Sequence, residues 1–424
     1  MMKRLLSLLL ALAAPLALAG CGGTAAVKTE NRAVWPKAPG FEDYDAQWEI
    51  REQNPVQDRT IRSANDFAYA SAKALLSAEE QNRNYSPLSL YYALSLLALG
   101  ASGETEAELC DVLHIADKAA GAEELGRLMR RLYADNEGAK LKIANSLWLQ
   151  GNVSFRDAFL AAATEELYAD LFSVDFAEED TARRMAAWVR DNTSNLEPGI
   201  QTSPEQILAI LNTVDYRACW YDEFLEENNQ LLPFRKADGS AVDAEFMVQK
   251  QGVRSYARGE GFTRAALGLN DGGQMVFVLP DADTTLNALL SGPGGVRELL
   301  AGGEAHDAEI TYRIPKFSFD SEFDLIDMLK ELGVTLAFSG TLADFSDMSQ
   351  LPACVTQICQ QTHVDVNEEG VAASAFTMIA VNATCMPPEG AEPLDFTLDR
   401  PFLYGIYGQD GALLFVGTVY SPAA

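Results

Sequence analysis

The chain has 424 residues, 48% of them hydrophobic, so it can bury a sizeable core as one large domain or two ordinary ones, and global disorder is excluded. Lys and Arg number 32 against 61 Asp and Glu, a net charge of −29, and so acidic a surface excludes nucleic-acid binding by charge. His114, His306 and His363 lie far apart, which leaves most histidine-based metal or triad schemes without material, and six cysteines are too few for a disulfide scaffold of this length.

In chain order, Met1-Met2-Lys3-Arg4 is a basic start, and Leu5 to Leu18 is an apolar run broken only by Ser7 and Pro15. That run is short for a bilayer span and suits a secretory signal over residues 1–20. Leu18-Ala19-Gly20-Cys21 resembles the bacterial lipoprotein box. The resemblance implies cleavage before Cys21, a diacylglycerol on its thiol, and a chain secreted and held by lipid at a bacterial cell surface or envelope. An ordinary signal with a chance cysteine is the alternative. Loss of Lys3 and Arg4 would take the charge from −29 to −31. Cys110, Cys219, Cys354, Cys359 and Cys385 remain, in neither CxxC nor metal-ligand spacing, so no metal or other cofactor is expected.

Residues 21–58 read as the lipidated cysteine and a tether, with Pro36, Pro39 and Pro55 and no sustained period. An ordered element docked through Trp35, Phe41 and Trp48 stays open. From about residue 59 the pattern is mixed. Helical spacing covers Asn65 to Leu76, Ser86-Pro87 opens a helix over Leu88 to Leu99, and Glu123 to Tyr133 and Asp180 to Arg190 are amphipathic. Met275 to Leu279 is a short apolar strand. Ile310 to Phe319 alternates like a strand and is followed by a helix over Glu322 to Leu332. Phe402 to Tyr407 and Leu413 to Tyr420 are strands joined through Gly408 to Gly411. The order suggests one α+β body over 59–424.

Residues 371–386, VAASAFTMIAVNATCM, do not fit an ordinary element. They hold no charge, Gly or Pro, and are flanked by Glu368-Glu369-Gly370 and Pro387-Pro388. The segment is too long for a usual strand and too polar at Ser374, Thr377, Asn382 and Thr384 for a comfortable membrane helix. It could enter a sheet interior without stranding a charge. A buried alanine-rich helix or strand is the bland alternative.

Over roughly residues 59–424 the chain resembles the serpin family. Val364-Asp365-Val366-Asn367-Glu368-Glu369-Gly370 is similar to that family's central strand end and hinge, and Ala372 to Ala375 to the small residues that follow. Asn84-Tyr85-Ser86-Pro87-Leu88-Ser89, Ala144-Asn145-Ser146-Leu147-Trp148, Asn212 with Trp220 and Phe224, Pro315-Lys316-Phe317, Ala343-Asp344-Phe345-Ser346 and Arg400-Pro401-Phe402-Leu403 follow in family order.

The resemblance implies three β-sheets with about nine helices. It implies a monomeric inhibitor of serine proteases, not an enzyme. An exposed reactive loop over about 370–388 is cut, trapped as a covalent acyl-enzyme and inserted into the main sheet, the strand-addition mode known for serpin loops. The hinge is Glu368, Glu369, Gly370, Val371, Ala372 and Ala373. Counting fifteen residues inclusively from Gly370 puts the reactive bond at Thr384-Cys385, with Ala383-Thr384 and Cys385-Met386 open as shifts. Thr384 suits an elastase-like or subtilisin-like target, and the absence of Lys and Arg from the loop disfavours trypsin-like enzymes. Ser86, Ser89, Asn212, Gln360 and Trp220 match the sheet-opening region. Gln360 stands where the family usually has histidine and cannot titrate. Val371, Ala372 and Phe376 depart from the usual residues, and 389–399 is longer than in compact members. A serpin-fold carrier that does not inhibit is the alternative function. No GxSxG, HExxH or P-loop pattern supports a hydrolase. Arg127, Arg130 and Arg131 cluster on one predicted helix with Lys140 and Lys142 nearby, as in serpins that bind a cofactor on a basic helix, but against a mature charge of −31 an ordinary mixed-charge helix is the favoured reading.

Overall fold

The computed structural model describes residues 30–193, 199–371 and 393–422. The fold is built around helix Pro87–Gly100, in which only Ala93 escapes full burial. A helix apolar on every side belongs in the middle of a core, and Pro87 at its first turn costs no hydrogen bond there. Helix Asp58–Leu76 packs beside it through Ala64, Phe67, Ala68, Ser71, Ala72 and Leu75, a stripe at helical spacing. Ten α-helices occur among the described residues.

The strands form two hydrogen-bonded networks. The first has eight, in the order Glu30–Asn31, Ala169–Val174, Ala139–Gln150, Leu208–Cys219, Gly370–Val371, Cys359–Val366, Phe317–Asp324, with Ala134–Asp135 paired beside Ala139–Gln150. One face of this sheet lies on the main core. The other carries helix Glu179–Asp191 over a second, smaller core, in which Trp148 stacks on Phe172 at 4.0 Å and Met185, Trp188 and Val189 close the top. The second network has nine strands, running Pro393–Thr397, Glu304–Pro315, Ala241–Gly259, Phe262–Gly268, Gln274–Pro280, Phe402–Tyr407, Leu413–Val419, Arg83–Tyr85, with Gln230–Arg235 on the outer side of Ala241–Gly259.

The α+β fold class expected from the sequence holds. Its three sheets appear as two networks because two long strands run through both parts of the second. Residues 241–246 pair with Gln230–Arg235, residues 257–259 pair with Phe262–Gly268, and a bulge between Glu309 and Thr311 marks the bend.

Three local expectations are corrected. Ile310 to Phe319 is two strands, broken at Lys316, whose N–H donates to Glu245 O (2.9 Å). The helix placed over Glu322 to Leu332 is only Ile326–Glu331, because residues 322–324 stay paired with Gln361, Gln360 and Cys359. Residues 30–58, read as tether, are ordered and attached to the body at particular points. Glu30–Asn31 adds an edge strand, Arg32 pairs with Asp170 (2.9 Å), and helix Tyr44–Gln53 follows. Trp35 lies between Tyr133 and Tyr168, with ring centroids at 5.1 and 5.2 Å. Aromatic burial outweighs the proline content that suggested a leash.

Candidate functional site

Strand Cys359–Val366 ends at Val366, turns through Asn367, Glu368 and Glu369, and re-enters the sheet as Gly370–Val371. The turn closes by Asn367 N–H to Gly370 O (3.1 Å). Val371 pairs with Val366 on one side and Ala218 on the other, and Gly370 pairs with Cys219. Among the described residues, this two-residue strand is the one ladder connection between Leu208–Cys219 and Cys359–Val366. Val371 is buried. Gly370 has φ +157°, and a Cβ there would lie 2.1 Å from Ala218 O. Only glycine lets the chain turn this close to the neighbouring backbone.

The turn is held from outside. The Trp220 backbone N–H donates to Glu369 O (3.0 Å), its indole N–H donates to Asn367 O (2.8 Å), and Phe224 N–H reaches Glu368 O (3.3 Å). Lys316 Nζ meets Glu368 at 3.1 Å and Glu245 at 2.8 Å, while Asn229 donates to both carboxylates. Burial alone would raise the Glu368 pKa. The bonds from Asn229, its own backbone and Lys316 lower it by more, so the carboxyl sits below its ordinary 4.5. Lys316 is the mirror case: burial lowers its pKa, but Glu245 and Glu368 carry it above 10.5.

Beyond Val371 a cavity of about 40 Å³ continues between the two strands. Val214, Asp215 and Tyr216 line one side, His363 and Val364 the other, with Ile406 and Phe415 among its further lining residues. A polar chain crosses beneath the sheet. Gln360 Oε1 accepts from Ser86 N–H (2.8 Å) while its Nε2 donates to Ser86 O (2.9 Å). Ser86 Oγ donates to Leu414 O (2.8 Å). Ser89 Oγ donates to Asn212 Oδ1, Asn212 Nδ2 donates to Asn145 Oδ1 (2.6 Å), and Asn145 Nδ2 donates to Leu167 O (2.7 Å). The helix start at Ser86 is thereby tied to the strands on both sides of the cleft. Thr362 Oγ1 to Asn84 O (2.6 Å) and Tyr404 OH to Asn84 Oδ1 (2.9 Å) reinforce it.

A sheet with its next strand begun and a cleft leading onward is an architecture for strand addition. A sequence profile described as Serpin (serine protease inhibitor) matches residues 62–422. The chain belongs to the serpin family. Human leukocyte elastase inhibitor is 30% identical over 362 residues, covering 80% of this serpin and 92% of that protein. Serpin-ZXA of Oryza sativa subsp. japonica is 30% identical over 397 residues, covering 86% and 97%. The native-state crystal structure of the thermophilic serpin tengpin superimposes with a TM-score of 0.74, covering 91% of this chain and 97% of that one at 23% identity. Serpins are protease inhibitors rather than catalysts, and a target protease is the partner the family implies.

Of the predicted site residues, Glu368, Glu369, Gly370 and Val371 come together at the sheet's end, and Ser86, Ser89, Asn212 and Gln360 form the network below. Trp220 does not join that network. It follows the end of strand Leu208–Cys219, eight positions past Asn212 and about 26 Å along an extended chain, and it clamps the hinge instead. Cys21, Ala372, Ala373, Thr384 and Cys385, with the reactive bond and the lipidation site, lie outside the described residues. Asn84 and Asn145, which the sequence offers only inside longer motifs, and Asn229 and Glu245 also belong to the site. A signal existed for Asn84 and Asn145, which are polar residues inside otherwise buried motifs. Asn229 and Glu245 carry none, because their role depends on distant chain. The basic grouping is engaged internally: Arg127 pairs with Glu123 and Glu124, Arg131 with Asp410, Lys140 with Asp215, and Lys142 lies over Trp35. No group of metal-ligating residues occurs among the described residues.

Proposed function

We propose that this serpin is a suicide substrate of serine proteases, with an elastase-like or subtilisin-like target, cut at Thr384-Cys385. The protease serine attacks the Thr384 carbonyl carbon, the Thr384–Cys385 peptide bond breaks, and the leaving amine takes a proton. The acyl-enzyme ester so formed would be hydrolysed by water in an ordinary substrate. Here the freed segment zips into the main sheet and drags the tethered protease with it. Fourteen residues from Gly370 to Thr384, at about 3.3 Å each, span about 46 Å. Such a displacement distorts the protease's oxyanion hole and halts deacylation, which depends on preorganised donors.

The observation that carries this reading is the Gly370–Val371 pair seated between Leu208–Cys219 and Cys359–Val366, with the cavity beyond it. The inserting residues are uncharged, so burial strands no charge. Cys21 lipidation, residence at a bacterial cell surface or envelope, and a monomeric state belong to the same proposal.

Subtilisin or elastase mixed with the serpin should give a complex that survives boiling in detergent, with a released peptide beginning at Cys385. Cleavage without a stable complex, by every protease tried, favours the carrier reading. Thr384→Arg should redirect capture to trypsin, raising its association rate by about 10²-fold or more.

A further inference from the structure

Eight large hydrophobic side chains are exposed among the described residues, and three of them, Val34 (89%), Tyr44 (70%) and Trp48 (64%), fall between residues 34 and 48. Helix Tyr44–Gln53 has no buried residue. Ala46, Gln47 and Ile50 are half-buried and form its inner side, with Gln47 donating to the carbonyls of Gly40 and Phe41. Tyr44 and Trp48, four apart, are exposed neighbours on the helix, and Arg51 beside them reaches Gln409. Asp45 and Glu52, three before and four after Trp48, share its exposed side, with Glu49 next to them. Trp and Tyr favour the headgroup level of a bilayer, where an apolar ring and a polar edge are both accommodated.

The chain length ahead of this helix says what covers the face. Cys21 lies nine residues before Glu30, which is fixed to the sheet edge through Phe172. Nine residues reach at most about 30 Å, so an acylated Cys21 holds the Glu30 edge strand close to the bilayer, and Val34, Tyr44 and Trp48 follow within eighteen residues of it at high effective concentration.

We infer that Tyr44 and Trp48 dock the protein onto the lipid surface that its anchor enters, as a second membrane contact. The inference rests on the anchor reading above. The three carboxylates fix the lipid chemistry: anionic headgroups repel them, whereas zwitterionic headgroups bearing an ammonium group accept them. An acidic body of this charge adds no general attraction to an anionic membrane.

The test uses the full acylated chain in vesicles of phosphatidylethanolamine and brominated phosphatidylcholine. Tryptophan quenching is compared with Trp48→Phe, a substitution at an exposed position outside the inhibitory machinery. Trp148, Trp188 and Trp220 are buried and Trp35 is half-buried between Tyr133 and Tyr168, so these four supply the background against which the Trp48 signal is read. The expected result is quenching that Trp48→Phe abolishes and that weakens when phosphatidylglycerol replaces the zwitterionic lipid. An acylated, vesicle-bound chain whose quenching is the same with and without Trp48 overturns the docking alone. A chain whose mass lacks acyl groups and which stays in the supernatant overturns the anchor and the docking together.

Discussion

Gly370→Ala probes the hinge where it has least room. The added Cβ would lie 2.1 Å from Ala218 O and 2.7 Å from Cys219 Cα. Both atoms belong to a strand fixed on its far side by Ala139–Gln150, with Ala218 opposite Ala139, so the hinge and not the strand must move. Expelling the pair forfeits burial of the Val371 side chain, about 1.5–3 kcal/mol. It also forfeits ladder hydrogen bonds at about 1 kcal/mol each, for a total of about 3–5 kcal/mol. With half of that felt at the insertion barrier, about 2 kcal/mol, loop entry slows about thirtyfold while hydrolysis of the acyl-enzyme is untouched. The variant should therefore be consumed as a substrate. The assay is the number of serpin molecules spent per subtilisin molecule inhibited, alongside the melting temperatures of intact and nicked protein. Gly252→Ala is the control, since nothing lies within 4 Å of a Cβ there. A Gly370→Ala protein with unchanged stoichiometry and unchanged melting would refute the assignment of the hinge.

Glu368→Gln tests the clamp through pH. The Glu368 pKa is lowered in the fold, so its contribution is present above about 4.5, the unfolded value, and is lost as pH falls through the lower folded value. The melting gap between wild type and variant should be open at pH 7 and should narrow as pH falls below 4.5; a gap independent of pH means the ion pair is not its source. Gln360→Ala leaves the Ser86 N–H without its partner, while Ser86 O keeps the Leu90 N–H (3.4 Å), a loss of about 1–3 kcal/mol, read as a fall in melting temperature. Gln360→His should add a pH dependence near pH 6–7 that the non-titrating Gln360 does not contribute. Trp35→Ala should destabilise by about 2 kcal/mol, because the ring packs on Tyr133 and Tyr168; a neutral result returns residues 30–58 to the status of a leash.

Local signals carried the helices well. Ser86-Pro87 and the apolar run behind it placed helix Pro87–Gly100. Boundaries that depend on partners were not legible. Residues 322–324 look helical until Cys359, Gln360 and Gln361 are seen opposite them. Residues 30–58 look like a linker because their order comes from surfaces on Asp170, Tyr133 and Tyr168, far along the chain. The Trp220 position was legible and its role was not. Motif order gives the residue, but only the register Gly370↔Cys219 shows that the strand end carrying it lies under the hinge.

The two polar groupings act on opposite ends of one cleft, and their chemistry differs for a reason. At the hinge, the Lys316, Glu245, Glu368 and Asn229 group is partly solvated and charged, so it holds a turn in place without obstructing the strand that grows from it. Below, Ser86, Ser89, Asn212, Asn145 and Gln360 are neutral, and all but Asn212 are buried. Pulling the strands apart there exposes donors and acceptors with nothing to replace their partners, which costs about 1–3 kcal/mol for each group left unmet. An incoming backbone carries one N–H and one C=O per residue, so an arriving strand can satisfy what it displaces. The lower network therefore resists opening by thermal fluctuation, and under the proposed mechanism a strand zipping down from Val371 would replace the bonds it breaks. That asymmetry suits the proposed insertion, because the cleft is costly to open without a strand and far less so with one.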